Sequence, residues 1–140
     1  MAEAVFRNMI AEKGLANKIE VDSAGTANWH TGKPPHEGTR EILDKYRISY
    51  KGMHARQIQE NDLKNFTYII AMDEQNVMDL RNEFGNYKEV TVRKLMDFVK
   101  DPEELNVPDP YYTGDFDYTY ELITTGCEEL LKHIRSKHNI

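Results

Sequence analysis

The sequence is poor in cysteine, in long apolar runs and in positive charge. Its single cysteine excludes an internal disulfide framework and any cysteine-based metal cluster. No apolar run approaches the roughly 18 residues of a transmembrane helix, and no basic segment followed by an apolar one marks a secretory signal. Lys and Arg number 18 against 24 Asp and Glu, a net charge of -6, which argues against nucleic acid or an anionic membrane surface as the main partner. We expect a cytoplasmic protein of one globular domain.

Apolar side chains recur with helical spacing in some segments and with strand spacing in others. Helices are predicted over residues 2–13, 36–46, 59–66, 94–99 and about 117–136, with one more that begins at Asp73. Strands are predicted over residues 19–24, 68–72 and 88–92. The second of these is almost entirely apolar, which predicts a strand covered on both faces. Strands that alternate with helices predict an α/β fold, in which helices cover both faces of a parallel sheet.

A Pro- and Asp-rich loop over residues 101–116 contains the first candidate for catalysis. Asp109 has a proline on each side, and these restrict the backbone so that the carboxylate is held in one direction. Tyr111 and Tyr112 follow at once. A rigidly held carboxyl group beside aromatic surface suits a general acid that protonates the leaving oxygen of an aryl substrate. The alternative is a plain Pro-Asp turn whose tyrosines pack on the core.

Trp29 and Asp73 could also take part in a site, whereas Cys127 is not a candidate. Trp29, in the loop after the predicted strand 19–24, could form the wall of an aromatic pocket or lie on the surface as an amphipathic ring. Asp73 follows the predicted strand 68–72, where ligands bind in parallel sheets, but its simpler interpretation is a helix cap. Cys127 lies on the apolar stripe of the last helix, which predicts a buried and inert thiol.

Five short motifs follow one another along the chain. They are Met1 to Phe6, Val21 to Thr26 with Trp29-His30, Ala55-Arg56-Gln57, Ala71 to Glu74 with Asn76, and Asp109-Pro110-Tyr111-Tyr112. Together they resemble the low-molecular-weight protein-tyrosine phosphatases, in the family's order and approximate spacing. Any one motif is a weak signal, but five in order are specific.

The resemblance implies a fold, a reaction and a catalytic residue. The fold is a doubly wound parallel sheet of flavodoxin-like order 2-1-3-4. The reaction is hydrolysis of phosphotyrosine in proteins, or of small aryl phosphates, through a cysteinyl-phosphate intermediate and without a metal or cofactor. Asp109 corresponds to the general acid, which protonates the departing phenolate and then activates water.

The resemblance also implies the residues around the substrate. Tyr111 and Tyr112 correspond to the aromatic wall of the pocket, and Trp29 lies in the family's variable specificity loop. Ser23 and Asp73 resemble the residues that support the phosphate-binding loop from behind.

The sequence departs from the family pattern at its start. Family members begin with an apolar strand and a Cys-x5-Arg loop followed by Ser-Pro, which lead into the helix that here starts at Met1. That loop supplies the nucleophile, the backbone amides that hold phosphate at a helix N-terminus and the arginine that binds it. We therefore expect residues 1–140 to be an N-terminally truncated domain without the first strand, inactive by itself because no attacking thiolate is present.

The residues leave other functions open. A non-catalytic relative could bind a partner through the retained pocket rim, although such a protein has no chemical need for an acid. Phosphoarginine is an alternative substrate, but the paired tyrosines favour an aryl ester. A thiol-relay arsenate reductase on the same fold would need further cysteines, and the sequence has only Cys127.

Overall fold

Helices and strands alternate along the chain in the computed structural model, which describes residues 1–27, 30–85 and 89–140. The helices are α1 (Ala2–Glu12), α2 (Glu37–Lys45), α3 (Glu60–Asn65), α4 (Glu74–Phe84), α5 (Pro110–Thr113) and α6 (Phe116–His138). The strands are β1 (Tyr68–Ala71) and β2 (Thr91–Lys94), and a 3₁₀ turn over Leu95–Phe98 follows β2. The strands are parallel, with Tyr68 opposite Thr91. A parallel sheet combined with helices confirms the predicted α/β class.

The apolar core lies between α1, α6 and the turn after β2. The buried apolar stripe of α6 consists of Leu122, Ile123, Cys127, Leu130, Leu131 and Ile134. The facing stripe of α1 includes Val5, Phe6 and Ile10. Each helix buries one stripe because about 3.6 residues per turn bring every third or fourth side chain onto the same face. None of the described helices combines the length and the apolar character that crossing a membrane requires.

Most helices form where apolar spacing predicts them. The segments predicted over residues 2–13, 36–46 and 59–66 are α1, α2 and α3, and the last helix extends slightly beyond both predicted ends. The segment 94–99 is helical as predicted, in the form of a short 3₁₀ helix over Leu95–Phe98. One local prediction is wrong, because α5 lies within the stretch predicted as loop. α5 forms because Asp109 caps its first turn and Pro110, which has no N–H to satisfy, occupies its first position.

The two strands differ from the sequence prediction in burial and position. β1 forms within the predicted range 68–72, but residues 68–70 are only half-buried, so the prediction of cover on both faces is wrong. β2 begins at Thr91, within the predicted range 88–92, and extends beyond its end to Lys94; residue 88 lies outside the described part of the chain. The start of β2 follows from its pairing with β1, and local β-branching does not reveal where that pairing begins.

Residues 19–24 form no strand, so this prediction is also wrong. The nearest sheet pairing is an isolated parallel bridge between Gly25 and Gln57. The carbonyl of Val21 accepts a hydrogen bond from Arg7 Nη2 at 3.0 Å instead of one from a neighbouring strand. A strand needs a hydrogen-bonded neighbour, and a groove lies between these residues and β1. The alternation of apolar and polar residues over 19–24 is therefore not enough to form a strand here.

Candidate active site

A groove of about 850 Å³ is lined by residues 18–26 and by the whole of β1. The start of α1, part of the buried stripe of α6 and the loop around Asp109 also line it; the stripe residues at the groove are Ile123, Cys127, Leu130 and Ile134. One edge of β1 pairs with β2, and a strand within a parallel sheet can pair on both edges. The groove therefore brings together a helix N-terminus, a carboxyl group and the second edge of β1, with which none of the described strands pairs.

The groove contains most of the predicted site residues. Four of them line it: Ser23, Asp73, Asp109 and Tyr111. Tyr112 is 79% exposed and is not among the lining residues, but its ring contacts that of Tyr111 edge-on at a centroid distance of 5.3 Å. Trp29 lies outside the described residues. Three parts of the chain that are distant in sequence thus meet at the groove: the segment around Ser23, the end of β1 at Asp73 and the loop before α6 that carries Asp109.

Asp109 is held by the first turn of α5. One of its carboxylate oxygens, Oδ1, accepts a hydrogen bond from the Tyr111 N–H at 2.9 Å, and the residue is exposed to solvent at the groove. The alternative that the tyrosines pack on the core is wrong, because Tyr111 is 61% and Tyr112 79% exposed. An exposed ring beside a fixed carboxyl group can contact a substrate.

Two aromatic side chains that the sequence analysis did not identify support Tyr111. The His36 ring meets Tyr111 edge-on at 5.7 Å and stacks on Phe116 at 5.3 Å. His36 also caps α2, since its Nδ1 accepts a hydrogen bond from the Gly38 N–H at 3.0 Å. The sequence signal for this capping role was the position of His36 directly after Pro35, at the start of the predicted helix 36–46. Aromatic packing thus orients Tyr111 from the α2 side.

Asp73 is a helix cap that also lines the groove. Its Oδ1 accepts a hydrogen bond from the Asn76 N–H at 2.8 Å, and the Asn76 side chain accepts one from the Met72 N–H at 3.1 Å. These two hydrogen bonds join the end of β1 to the first turn of α4. The cap interpretation is confirmed, and it is compatible with a place at the carboxyl end of the strand.

Ser23 connects the loop after segment 19–24 to α1. Its hydroxyl donates a hydrogen bond to the carboxylate of Glu3, which is only 8% exposed and also pairs with Arg7. A buried carboxylate requires such partners. The sequence analysis missed Glu3, although a carboxylate in the first turn of a helix is a recognisable stabilising feature.

Arg56 holds the groove wall in place through two carboxylates. Its guanidinium makes a bidentate pair with Asp62, at 2.9 and 3.0 Å, and its Nε contacts Asp22 at 3.2 Å. Burial alone would raise the pKa of Asp62, but hydrogen bonds from Arg56 and from the Gln59 N–H lower it below its ordinary value of 3.8. The Arg56 carbonyl also accepts from the Gly25 N–H at 2.8 Å. Arg56 is therefore a structural clamp.

The thiol of Cys127 is unsuited to nucleophilic attack. The side chain is 2% exposed, and burial raises its pKa to about 12, so the thiol stays protonated at neutral pH. The prediction of a core cysteine is confirmed. Within the described ranges, no three His, Cys, Asp or Glu side chains gather as metal ligands.

At this groove a helix N-terminus can bind phosphate, and a carboxyl group beside an aromatic ring can protonate a leaving group; this combination suits the class of small phosphate-ester hydrolases. The sequence pattern of the family described as "Low molecular weight phosphotyrosine protein phosphatase" matches residues 1–139. The chain belongs to this family of protein-tyrosine phosphatases, as its motifs predicted.

Named relatives agree with this assignment. YfkJ of Bacillus subtilis, a low molecular weight protein-tyrosine-phosphatase, is 51% identical over 140 residues, which are the whole of this chain and 90% of the relative. PtpA of Staphylococcus epidermidis is 40% identical, again over the whole chain and 88% of the relative.

Solved structures share the fold. The crystal structure of Bacillus subtilis YfkJ matches with a TM-score of 0.94 at 51% identity, covering 97% of this chain and 86% of that one. The crystal structure of DARP, a drosophila arginine phosphatase, matches with a TM-score of 0.87 at 26% identity, covering 96% and 88%.

Proposed function

We propose that the protein hydrolyses phosphotyrosine in proteins, with Asp109 as general acid and then general base. The observation that supports this most directly is that Asp109 and Tyr111 line one groove with the start of α1. A helix N-terminus binds phosphate through its free N–H groups. The exposed ring of Tyr111 offers a flat apolar surface for the aryl group of the substrate.

The nucleophile in this proposal is a cysteine thiolate in a loop that follows a strand lying in the groove. Cys127 cannot serve, because it is buried and protonated. β1 offers the groove an edge for parallel pairing, and the N-terminus of α1 has no side-chain cap at Met1. A strand in the groove, followed by a Cys-x5-Arg loop, would place the thiolate and the arginine at this N-terminus. Residues 1–140 are then the domain without its first strand.

The reaction has two steps. The thiolate attacks phosphorus, the bond from phosphorus to the aryl oxygen breaks, and the phenolate takes its proton from the Asp109 carboxyl group. The Asp109 carboxylate then removes a proton from water, which attacks phosphorus and releases phosphate and the thiolate. A proton supplied at the leaving oxygen matters because a phenolate with a high pKa is a poor leaving group.

The remaining predicted residues have supporting roles. Tyr111 forms the aromatic wall for the substrate, and Tyr112 packs edge-on against it; the substrate-binding role predicted for Trp29 falls outside the described residues. Ser23 and Asp73 support the phosphate-binding loop, Ser23 through Glu3 in the first turn of α1 and Asp73 through the first turn of α4.

The test uses the 140-residue chain and an extended protein. The extended protein is this chain preceded by an apolar strand of about five residues and a Cys-x5-Arg-Ser-Pro loop. We expect the extended protein to hydrolyse p-nitrophenyl phosphate and a phosphotyrosine peptide. We expect the 140-residue chain alone to hydrolyse neither.

Two control variants identify the cause. Replacing the loop cysteine by serine should abolish turnover and retain the fold. Replacing the middle residue of the added strand by proline should prevent its pairing with β1 and abolish turnover as well. An extended, folded protein that binds phosphotyrosine peptide without turnover would instead indicate a non-catalytic binding protein.

Phosphoarginine is a second candidate substrate, because a structure of similar fold is named an arginine phosphatase. The same peptide carrying either phosphotyrosine or phosphoarginine separates the two possibilities. We expect a higher kcat/KM for phosphotyrosine, because Tyr111 provides aromatic surface at the groove. A preference for phosphoarginine that is unchanged by Tyr111→Ala would contradict the aryl assignment.

A further inference from the structure

A single side-chain oxygen joins three elements near the predicted acid. Oδ1 of Asn106 accepts a hydrogen bond from the Glu74 N–H at 2.9 Å and another from Lys94 Nζ at 3.2 Å. Glu74 is the first residue of α4, and Lys94 is the last residue of β2. The loop that carries Asp109 is therefore attached both to a helix N-terminus and to the end of a strand.

The surroundings of Asn106 make this attachment strong. The Lys94 side chain is only 15% exposed, and its ammonium group also pairs with the Glu74 carboxylate at 3.5 Å. Removing the hydrogen-bond partner of a partly buried polar group destabilises the protein, and the loss is largest when the group left without a partner is charged. Removing the Asn106 acceptor would therefore be unfavourable for both donors, the Lys94 ammonium group and the Glu74 N–H.

The chain between Asn106 and Asp109 has little freedom. Val107 is 3% exposed, and its N–H donates to the Met72 carbonyl at 2.8 Å. Pro108 has a fixed φ, and its carbonyl accepts from the Thr119 hydroxyl at 3.4 Å. A displacement at Asn106 is therefore transmitted to Asp109.

We propose that Asn106 is a positioning residue that sets the direction of the Asp109 carboxyl group in the groove. This inference rests on the proposed function, since it concerns how well Asp109 delivers a proton. It gives a reason for an asparagine three residues before the acid: its amide oxygen accepts from two donors at once, which no apolar side chain can do.

The experiment compares two substrates in the extended protein. Phenyl phosphate has a basic leaving group that needs a proton, and 2,4-dinitrophenyl phosphate has an acidic one that does not. Asn106→Leu removes the acceptor at similar size, and we expect kcat/KM for phenyl phosphate, which reports only the steps up to release of the phenol, to fall by about 10- to 100-fold. The kcat/KM for the dinitrophenyl ester should change by less than about threefold. Asn106→Asp keeps the acceptor and should retain most of the activity on phenyl phosphate.

Other outcomes would overturn the inference. Equal losses of kcat/KM on both substrates would show that Asn106 does not act through the acid. If Asn106→Leu does not fold, Lys94→Met carries the test, because it removes one donor and leaves Asn106 in place. Lys94→Met should lower kcat/KM for phenyl phosphate more than for the dinitrophenyl ester. Equal effects on the two esters would overturn the proposal.

Asp109→Asn serves as the reference variant in the same two assays. If Asp109→Asn is selective for phenyl phosphate and Asn106→Leu is not, only the role of Asn106 fails. If Asp109→Asn itself shows no selectivity, the proposed function of Asp109 fails first. A second measurement is hydrogen exchange of the Val107 amide in the 140-residue chain. Its rate should be higher in Asn106→Leu and unchanged in Asn106→Asp. An unchanged rate in Asn106→Leu would overturn the anchoring role.

Discussion

Leu95, in the turn after β2, lies directly against Gly126 in the middle of α6. A Cβ atom added to Gly126 would come 2.5 Å from Leu95 Cγ, and Leu95 itself is only 1% exposed. Glycine inside a helix costs roughly 0.5–1 kcal/mol relative to alanine. The close approach of α6 to the turn explains why glycine occupies this position, and it fixes the helix whose buried stripe lines the groove.

Gly126→Ala should destabilise the protein even though alanine favours helices. Leu95 is enclosed and cannot move aside, so we expect the free energy of unfolding to fall by about 1–3 kcal/mol. Urea denaturation followed by circular dichroism measures this. The exposed neighbour Thr125 provides the control, because Thr125→Ala should change stability by less than about 0.5 kcal/mol. A Gly126→Ala variant as stable as the original would show that the contact is not close.

Asp62 should make the stability of the groove wall depend on pH. Its pKa is lowered in the folded state, so its contribution is complete above its ordinary value of 3.8 and is lost as pH falls through the lower folded value. Asp62→Asn should reduce the free energy of unfolding at pH 7 by about 1 kcal/mol, a modest value because Arg56 is partly exposed. The difference from the original protein should shrink as the pH falls below about 4.

Urea denaturation at several pH values tests this prediction. Asp101→Asn is the matched control, because Asp101 is exposed and has a positive φ of 50° that asparagine also tolerates. It should show no such dependence. A difference between Asp62→Asn and the original protein that stays constant from pH 7 to pH 3 would contradict the assigned ion pair.

Asp109→Asn should slow only those substrates that need a proton at the leaving oxygen. In the extended protein, kcat/KM for phenyl phosphate, which reports only the steps up to release of the phenol, should fall by roughly 10²- to 10⁴-fold. The kcat/KM for 2,4-dinitrophenyl phosphate should change far less, because its phenolate leaves without a proton. Steady-state kinetics with both esters decide the matter, and equal losses would mean that Asp109 is not the proton donor.

Tyr111→Ala should weaken substrate binding more than it slows the chemical step. Tyr111 lines the groove, so we expect KM for aryl phosphates to rise several-fold, in line with the roughly 0.5–1.5 kcal/mol of an aromatic contact. Tyr112→Ala should have a smaller effect, because Tyr112 contacts Tyr111 and is itself 79% exposed. An unchanged KM in Tyr111→Ala would argue against its place in the substrate pocket.

Features that depend on neighbours in sequence could be predicted from the sequence. The stripe of α6, the cap at Asp73 and the burial of Cys127 all follow from residues within a few positions of one another. The five motifs between Met1 and Tyr112 also identified the family. The helical spacing that placed Cys127 in the core also excluded it as a nucleophile, because a thiol buried among apolar side chains stays protonated.

Features that depend on distant partners could not be predicted. Residues 19–24 alternate as a strand does, but pairing requires another strand beside them. Asn106 looked like an ordinary loop residue, and its two donors come from residues 32 and 12 positions away. His36 likewise gained its role only by meeting Tyr111 and Phe116.

The amino-acid sequence by itself determined the α/β class, the helices, the family and the residue expected to move the proton, because helical periodicity and short motifs are local properties of the chain. Only the tertiary structure decided which segments pair, where the groove runs and how Asn106 and His36 hold the loop of Asp109. Hydrogen bonds and packing between distant segments depend on distances that no local pattern records.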